Sequence, residues 1–330
     1  MSKSNKTALV TGANSGLGFE AAAQLASDGW GTVILACRSV AKAEAAAAAL
    51  TERTGKSVWQ ALAIDTSEVG SANAAADQLK ERGVRIDFLL LNAGASGETA
   101  RFNSAKQEIT YASTLVGHHV LTMRALSDGL LASNARIVIA GSEGARGTIP
   151  GMPLHDISQI AKDSYDGDRV ATIAALMKLE TPGQKKFVNM GEYVTAKLIV
   201  AWWVAGLSSR LPAGTTVNAM SPGAAVGTSF GRNAPAAMRY IMMPMMKLLG
   251  PLLGMNGPTD KAARRYLDAA EFGDEINGQF WATAHEKKLV GPIGVQTSPA
   301  VFLDSTGHKA AFDAMVQVTG VGLQDAVRAA

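Results

Sequence analysis

The chain has 330 residues, 47% of them hydrophobic, a formal net charge of +3 and one cysteine, Cys37. That suits one large domain spanning 1–330 with a substantial core. The charge is too small to argue for a nucleic-acid partner, and the lone cysteine excludes an internal disulfide framework and fits a reducing cytoplasmic setting.

The N-terminus runs at once into a short strand rather than into an apolar leader with a cleavage site. No stretch approaches the ~20 uninterrupted apolar residues of a membrane span. The nearest, 238–255, is broken by Arg239, Pro244, Lys247 and Pro251.

In chain order, 7–10 reads as a buried strand, followed by a glycine turn and a helix over 19–27. Strands follow at 31–37, 58–64, 87–91 and 136–140, with helical patterns at 41–53, 68–82 and 105–131 between them. The strands are continuous apolar runs rather than alternating ones, the pattern of a parallel sheet covered on both faces. A helix near 193–210, a strand at 216–220, a helix near 260–271 and a last strand at 279–283 complete an α/β, Rossmann-type doubly wound sheet of about seven strands. Two segments, 144–189 and 230–257, break the alternation. Both should emerge at the carboxyl edge of the sheet, where such folds bind ligands.

The first turn, Thr11-Gly12-Ala13-Asn14-Ser15-Gly16-Leu17-Gly18, joins a strand to a helix. Glycines there let the backbone approach a pyrophosphate, and the helix start supplies free N–H groups and a favourable dipole. Gly12, Gly16 and Gly18, with Asn14, Ser15 and Leu17 between them, form a candidate dinucleotide site. The end of the second strand, Ala36-Cys37-Arg38-Ser39, offers no carboxylate for a ribose 2′-hydroxyl. Arg38 suits a 2′-phosphate instead, which favours NADP(H) over NAD. Asp65 and the adjoining Thr66 end the third strand, where a carboxylate can accept from an adenine amino group. Asn92-Ala93-Gly94 ends the fourth, and Gly94 permits the backbone to run along a cofactor.

Tyr193 and Lys197 stand at i and i+4, so a helix places them on one face. A free phenol titrates near 10, too high for an efficient base at neutrality, and an ammonium beside it stabilises the phenolate.

These pieces, with Ser142 and Ser221-Pro222-Gly223, make the chain resemble the short-chain dehydrogenases/reductases over nearly its whole length. Ala36-Cys37-Arg38-Ser39, Val217-Asn218-Ala219-Met220-Ser221-Pro222-Gly223, Gly231-Arg232-Asn233 and Gly278-Gln279-Phe280-Trp281 resemble the retinol-dehydrogenase-like, NADP-preferring branch. The resemblance implies Ser142, Tyr193 and Lys197 as catalytic residues. Ser142 would orient the substrate oxygen, Tyr193 exchange a proton with it, and Lys197 also hold the nicotinamide ribose. It implies cofactor contacts at Pro222, Gly223 and Thr228, and a proton-relay position at Thr114, where the family often has asparagine.

The implied activity is NADP(H)-dependent interconversion of a ketone or aldehyde with an alcohol, without a metal. The alternatives are reduction of a carbon–carbon double bond and a catalytically silent NADP-binding protein.

Ser142 lies 51 positions before Tyr193, farther than in most of the family, so 144–189 reads as an insertion over the substrate pocket. The acidic run 163–168 lacks the alternation of a calcium loop and reads as a solvated turn. Methionines at 238, 242, 243, 245 and 246 suit a lid over a lipophilic substrate, a core or oligomer contact, or a membrane-surface contact. His118 and His119 point about 100° apart on a helix and read as packing or interface residues rather than metal ligands. Trp202 and Trp203 are candidate contacts of a homo-oligomer.

Overall fold

The computed structural model describes residues 3–149, 152–183, 187–225, 256–286 and 288–323. Eight strands form one sheet in the order β3-β2-β1-β4-β5-β6-β7-β8. These are β1 (Thr7–Thr11), β2 (Thr32–Cys37), β3 (Trp59–Ala63), β4 (Ile86–Leu91), β5 (Leu131–Ala140), β6 (Thr216–Met220), β7 (Phe280–Thr283) and β8 (Ile293–Val295). All neighbours pair in parallel except β7 and β8. The order reverses between β1 and β4, which opens a crevice at their carboxyl ends. The sequence predicts about seven strands. The eighth, β8, is too short and too exposed to leave an apolar run.

Helices α1 (Gly16–Ser27), α2 (Val40–Thr54) and α3 (Val69–Glu81) connect the first four strands. The helical region predicted over 105–131 is helical over 109–127, in three consecutive pieces: α4 (Ile109–Tyr111), a π-helical turn (Ala112–Val116) and α5 (Gly117–Ser127). The π turn is fixed by close backbone approach. Gly117 N–H donates to Thr66 O at 2.8 Å, and a Cβ on Gly117 would lie 2.5 Å from that residue's backbone.

Helices α6 (Ile157–Ser164) and α7 (Arg169–Lys178) lie within the segment 144–189. Asp168 of the acidic run caps α7, accepting from Val170 N and Ala171 N. Ile173, Leu176 and Met177 are fully buried in the main core, so this part of the insertion is packing rather than a loop.

Helix α8 (Asn189–Ser208) carries Tyr193 and Lys197 and is buried nearly all round. A helix apolar on every side lies inside a protein. Here the sheet covers one face, and the C-terminal α10 (Ser305–Thr319), which follows α9 (Thr259–Ala269), covers another. This corrects the expectation for Trp202 and Trp203. Both are about 1% exposed, and both indoles are bonded within the chain. Trp202 Nε1 donates to Val301 O at 2.7 Å and Trp203 Nε1 to His119 Nδ1 at 3.0 Å. They do not present a surface to a second copy. Nothing in the sequence pattern before residue 300 announces that a later helix would cover them.

Among the described residues, no helix is long and apolar enough to cross a membrane.

Candidate active site

The glycine turn owes its residues to crowding and to left-handed backbone. Gly12 (φ 68°) and Gly16 (φ 58°) occupy the region that side chains disfavour. Gly18 has no such twist, but a Cβ there would lie 2.5 Å from both Asn92 Nδ2 and Gly12 O. The opening turn of α1 contains no acid, and its N-cap, Ser15, makes no side-chain cap bond. Such a helix start has N–H groups and positive dipole to offer an anion, so these residues fit a dinucleotide pyrophosphate. Asn14 and Ser15 are exposed, and Gly16 and Leu17 half-buried. Arg38 is exposed just past β2. Cys37 beneath the turn is buried; burial pushes its thiol up to about 11, against backbone hydrogen bonds from Ala13 and Asn14.

The crevice between β1 and β4 is held by a neutral network the sequence did not reveal. Thr11 Oγ1 accepts from Asn92 N at 2.8 Å and Ala93 N at 2.9 Å, while Asn92 Nδ2 donates to Thr11 O at 2.9 Å. The threonine proton then goes to His118 Nε2, 2.9 Å away, and His118 Nδ1 meets Thr114 O at 2.9 Å. Burial holds this imidazole down to about 3, with the Lys197 charge adding to the effect. It is therefore neutral, and the network assigns its proton to Nδ1. His118 thus ties the π turn to the cofactor loop. His119, one position on, ties α8 to Val321. Both are packing residues within the chain, not interface residues.

Thr114 is buried, with its hydroxyl facing Gly94: a Cβ on Gly94 would lie 3.6 Å from it. Asp65 Oδ1 accepts from Ser67 N at 3.0 Å and Ser67 Oγ at 2.6 Å, capping its own turn. Thr66 donates to Ser113 O at 2.9 Å and so anchors the π turn.

At the end of β5 the chain brings Ser142, Tyr193 and Lys197 together. Ser142 has extended backbone, and its Oγ accepts from Gly144 N at 3.2 Å at the head of a 3-10 turn, Glu143–Arg146. The same side chain hydrogen-bonds Tyr193. Lys197 Nζ donates to Ala140 O at 2.7 Å and sits 5.8 Å from the Tyr193 ring centroid. Burial lowers Lys197 to about 8.

The phenol of Tyr193 moves opposite to the direction expected from the sequence. Burial raises it above its usual value, the Ser142 hydrogen bond opposes this, and the negative charge of Glu143 adds to the rise. The i, i+4 spacing shows the lysine but neither the burial nor the acid beside the serine. Pro222 and Gly223 (φ 77°) follow β6 at the same edge. Thr228, Gly231-Arg232-Asn233 and nearly all of 230–257 lie outside the described residues.

A serine, a tyrosine and a lysine thus meet at the end of β5 in a sheet of this order. Comparison with known proteins gives the family. The short chain dehydrogenase model matches residues 6–161. The WW domain-containing oxidoreductase of Gallus gallus is 30% identical over 232 residues, 70% of this chain and 51% of that protein. Mouse (Mus musculus) retinol dehydrogenase 13 is 28% identical over 290 residues, 86% of this chain and 75% of its own. A crystal structure of a short chain dehydrogenase from Burkholderia cenocepacia in complex with NADP superposes with a TM-score of 0.56 at 23% identity, covering 83% of this chain and 94% of that one.

The chain belongs to the short-chain dehydrogenase/reductase superfamily, and retinol-dehydrogenase-like proteins are among its relatives. It spans about half the length of the WW domain-containing oxidoreductases it matches.

Proposed function

We propose that this protein is an NADP(H)-dependent oxidoreductase that interconverts a ketone or aldehyde with an alcohol on a bulky, apolar substrate. The observation that carries the reading is the convergence of Ser142, Tyr193 and Lys197 at the end of β5, on the same sheet edge as a turn built to receive a pyrophosphate. The NADP held by the Burkholderia relative supports the cofactor class.

NADPH, when bound, supplies the hydride. Ser142 would hold the substrate oxygen, and Tyr193 would deliver a proton to it. Burial and the Glu143 charge raise the phenol, so Tyr193 is protonated at neutral pH and can serve as the proton donor of a reduction. Lys197 carries its charge below about 8 and would hold the ribose hydroxyls. Thr114 would hold a relay water. Arg38 would pair with the 2′-phosphate, Asp65 and Thr66 would border the adenine, and Asn92, Ala93 and Gly94 the rest of the cofactor. Pro222, Gly223 and Thr228 would face the nicotinamide. The insertion 144–189 and the segment 230–257 would cover the substrate, and the methionines of the latter favour an apolar one.

The test is reduction of a panel of bulky aliphatic ketones and aldehydes with NADPH. Tyr193→Phe should lower kcat by about a hundred- to ten-thousandfold with the fold intact. Turnover unchanged in that variant would end the mechanism, and a saturated ketone formed from an enone would move the reaction to the carbon–carbon double bond.

A further inference from the structure

Glu143 directly follows Ser142, is 4% exposed, and is given no contact with substrate or cofactor in the reaction as proposed. A carboxylate taken out of water is costly unless donors and a counter-charge surround it. Here they do. Oε1 accepts from Thr283 N at 3.2 Å and Thr283 Oγ1 at 3.0 Å, and the Arg265 guanidinium lies 3.5 Å away. Oε2 accepts from the Ser221 hydroxyl.

Arg265, on α9, also donates to Ser221 O at 3.2 Å and Gly291 O at 2.8 Å. Arg146, on the same 3-10 turn as Glu143, grips Thr283 O and reaches Gln296 Oε1 at 2.8 Å. The carboxylate and Arg265 therefore lock the turn after β5 to β7 and α9, and Arg146 adds bonds to β7 and to Gln296 just past β8. One arm goes further. Ser221 Oγ, while donating to Glu143, accepts from Gly223 N at 3.2 Å. A Cβ on Gly223 would lie 2.5 Å from Leu289 O and 3.0 Å from Arg265 Nη1, so that turn is pressed against the same pair.

We propose that Glu143 is a positioning residue of the active site: through Ser221 it fastens the Pro222–Gly223 turn to the strand end that carries Ser142, and so sets that turn's place against Ser142 and Tyr193. The role rests on the oxidoreductase reading above. Its charge is felt at the site as well. The ionisable groups facing it are Arg265 and Tyr266 of α9, Arg146 of its own turn and Tyr193 of α8, and it raises both tyrosines.

Two variants separate tether from charge. Glu143→Gln keeps the shape and removes the charge. Ser221→Ala keeps every charge and cuts the arm to the turn. Both should weaken NADPH, titrated by its fluorescence, by about tenfold, the effect of one charge-assisted hydrogen bond. In carbonyl reduction the rate falls with rising pH, first as Lys197 loses its charge above about 8 and then, on the upper part of the limb, as Tyr193 loses its proton. Glu143→Gln should shift that upper part of the limb to lower pH, because the charge that raises the phenol is gone, while Ser221→Ala should leave it in place. A purely structural role would lower the amplitude without moving the limb.

Wild-type NADPH affinity in both variants, with the limb unmoved, overturns the proposal. If Glu143→Gln does not melt cooperatively, the affinity of Ser221→Ala decides alone. NADPH binding needs no turnover. A wild-type protein that binds NADPH yet reduces no carbonyl would refute the reaction, and the affinities of the two variants would still decide Glu143.

Discussion

The two halves of the sheet's carboxyl edge are held together by different physics. Around β1 and β4 the loop ends are joined by neutral hydrogen bonds among Thr11, Asn92 and a deprotonated His118. Around β5, β6 and β7 the equivalent joint is ionic, with Glu143 buried against Arg265, and with Arg146 of its own turn bonded to Thr283 O. A neutral network loses a hydrogen bond's worth of stability when one member is removed. A buried ionic one leaves an uncompensated charge, which costs far more than the pair contributes. The cofactor half is therefore the tolerant side of this site, and the half that would face the nicotinamide is the electrostatically demanding one.

The largest expected effect follows from that contrast. Arg265→Met leaves Glu143 without its guanidinium on α9 and should destabilise the protein by about 3–5 kcal/mol, measured by denaturant unfolding. Thr11→Val keeps the shape on the neutral side and strands the N–H groups of Asn92 and Ala93. Both residues are part-exposed, so the loss should be smaller, about 2 kcal/mol. Equal losses in the two variants would break the comparison. The smallest effect is on Arg38, exposed and outside both networks. Arg38→Ala should leave the melting curve unchanged and weaken NADPH by about tenfold, or ~1.4 kcal/mol, without weakening NADH. NADH binding more tightly than NADPH to the wild type would refute the cofactor preference.

The cofactor half was the legible half. Its strands are short apolar runs, its turns are marked by glycine, and its connections are local, so Gly12, Gly16, Gly18 and Asn92 could be placed at strand ends from the sequence. His118 reads from sequence as a packing or interface residue, but its partner does not, because Thr11 is 107 positions away and a histidine on an apolar helix carries no signal of what it will meet. Glu143 was equally hidden, although an acid directly after a strand-end serine is an unusual neighbour. Its counter-charges come from elements joined only by folding. The direction of the Tyr193 shift is hidden for the same reason: i, i+4 spacing reports the lysine on its own helix but not the acid arriving from the end of β5.

By itself the sequence determined the parallel sheet, the glycine turn and the placing of Tyr193 and Lys197 on one helical face. All of these follow from short-range sterics and the 2.0 and 3.6 residue periods of strand and helix. Only the tertiary structure decided which charges face the tyrosine, which histidine closes the cofactor crevice, and that Trp202 and Trp203 are buried beneath a C-terminal helix. Those are matters of burial and through-space electrostatics between segments far apart in the chain, which local pattern does not encode.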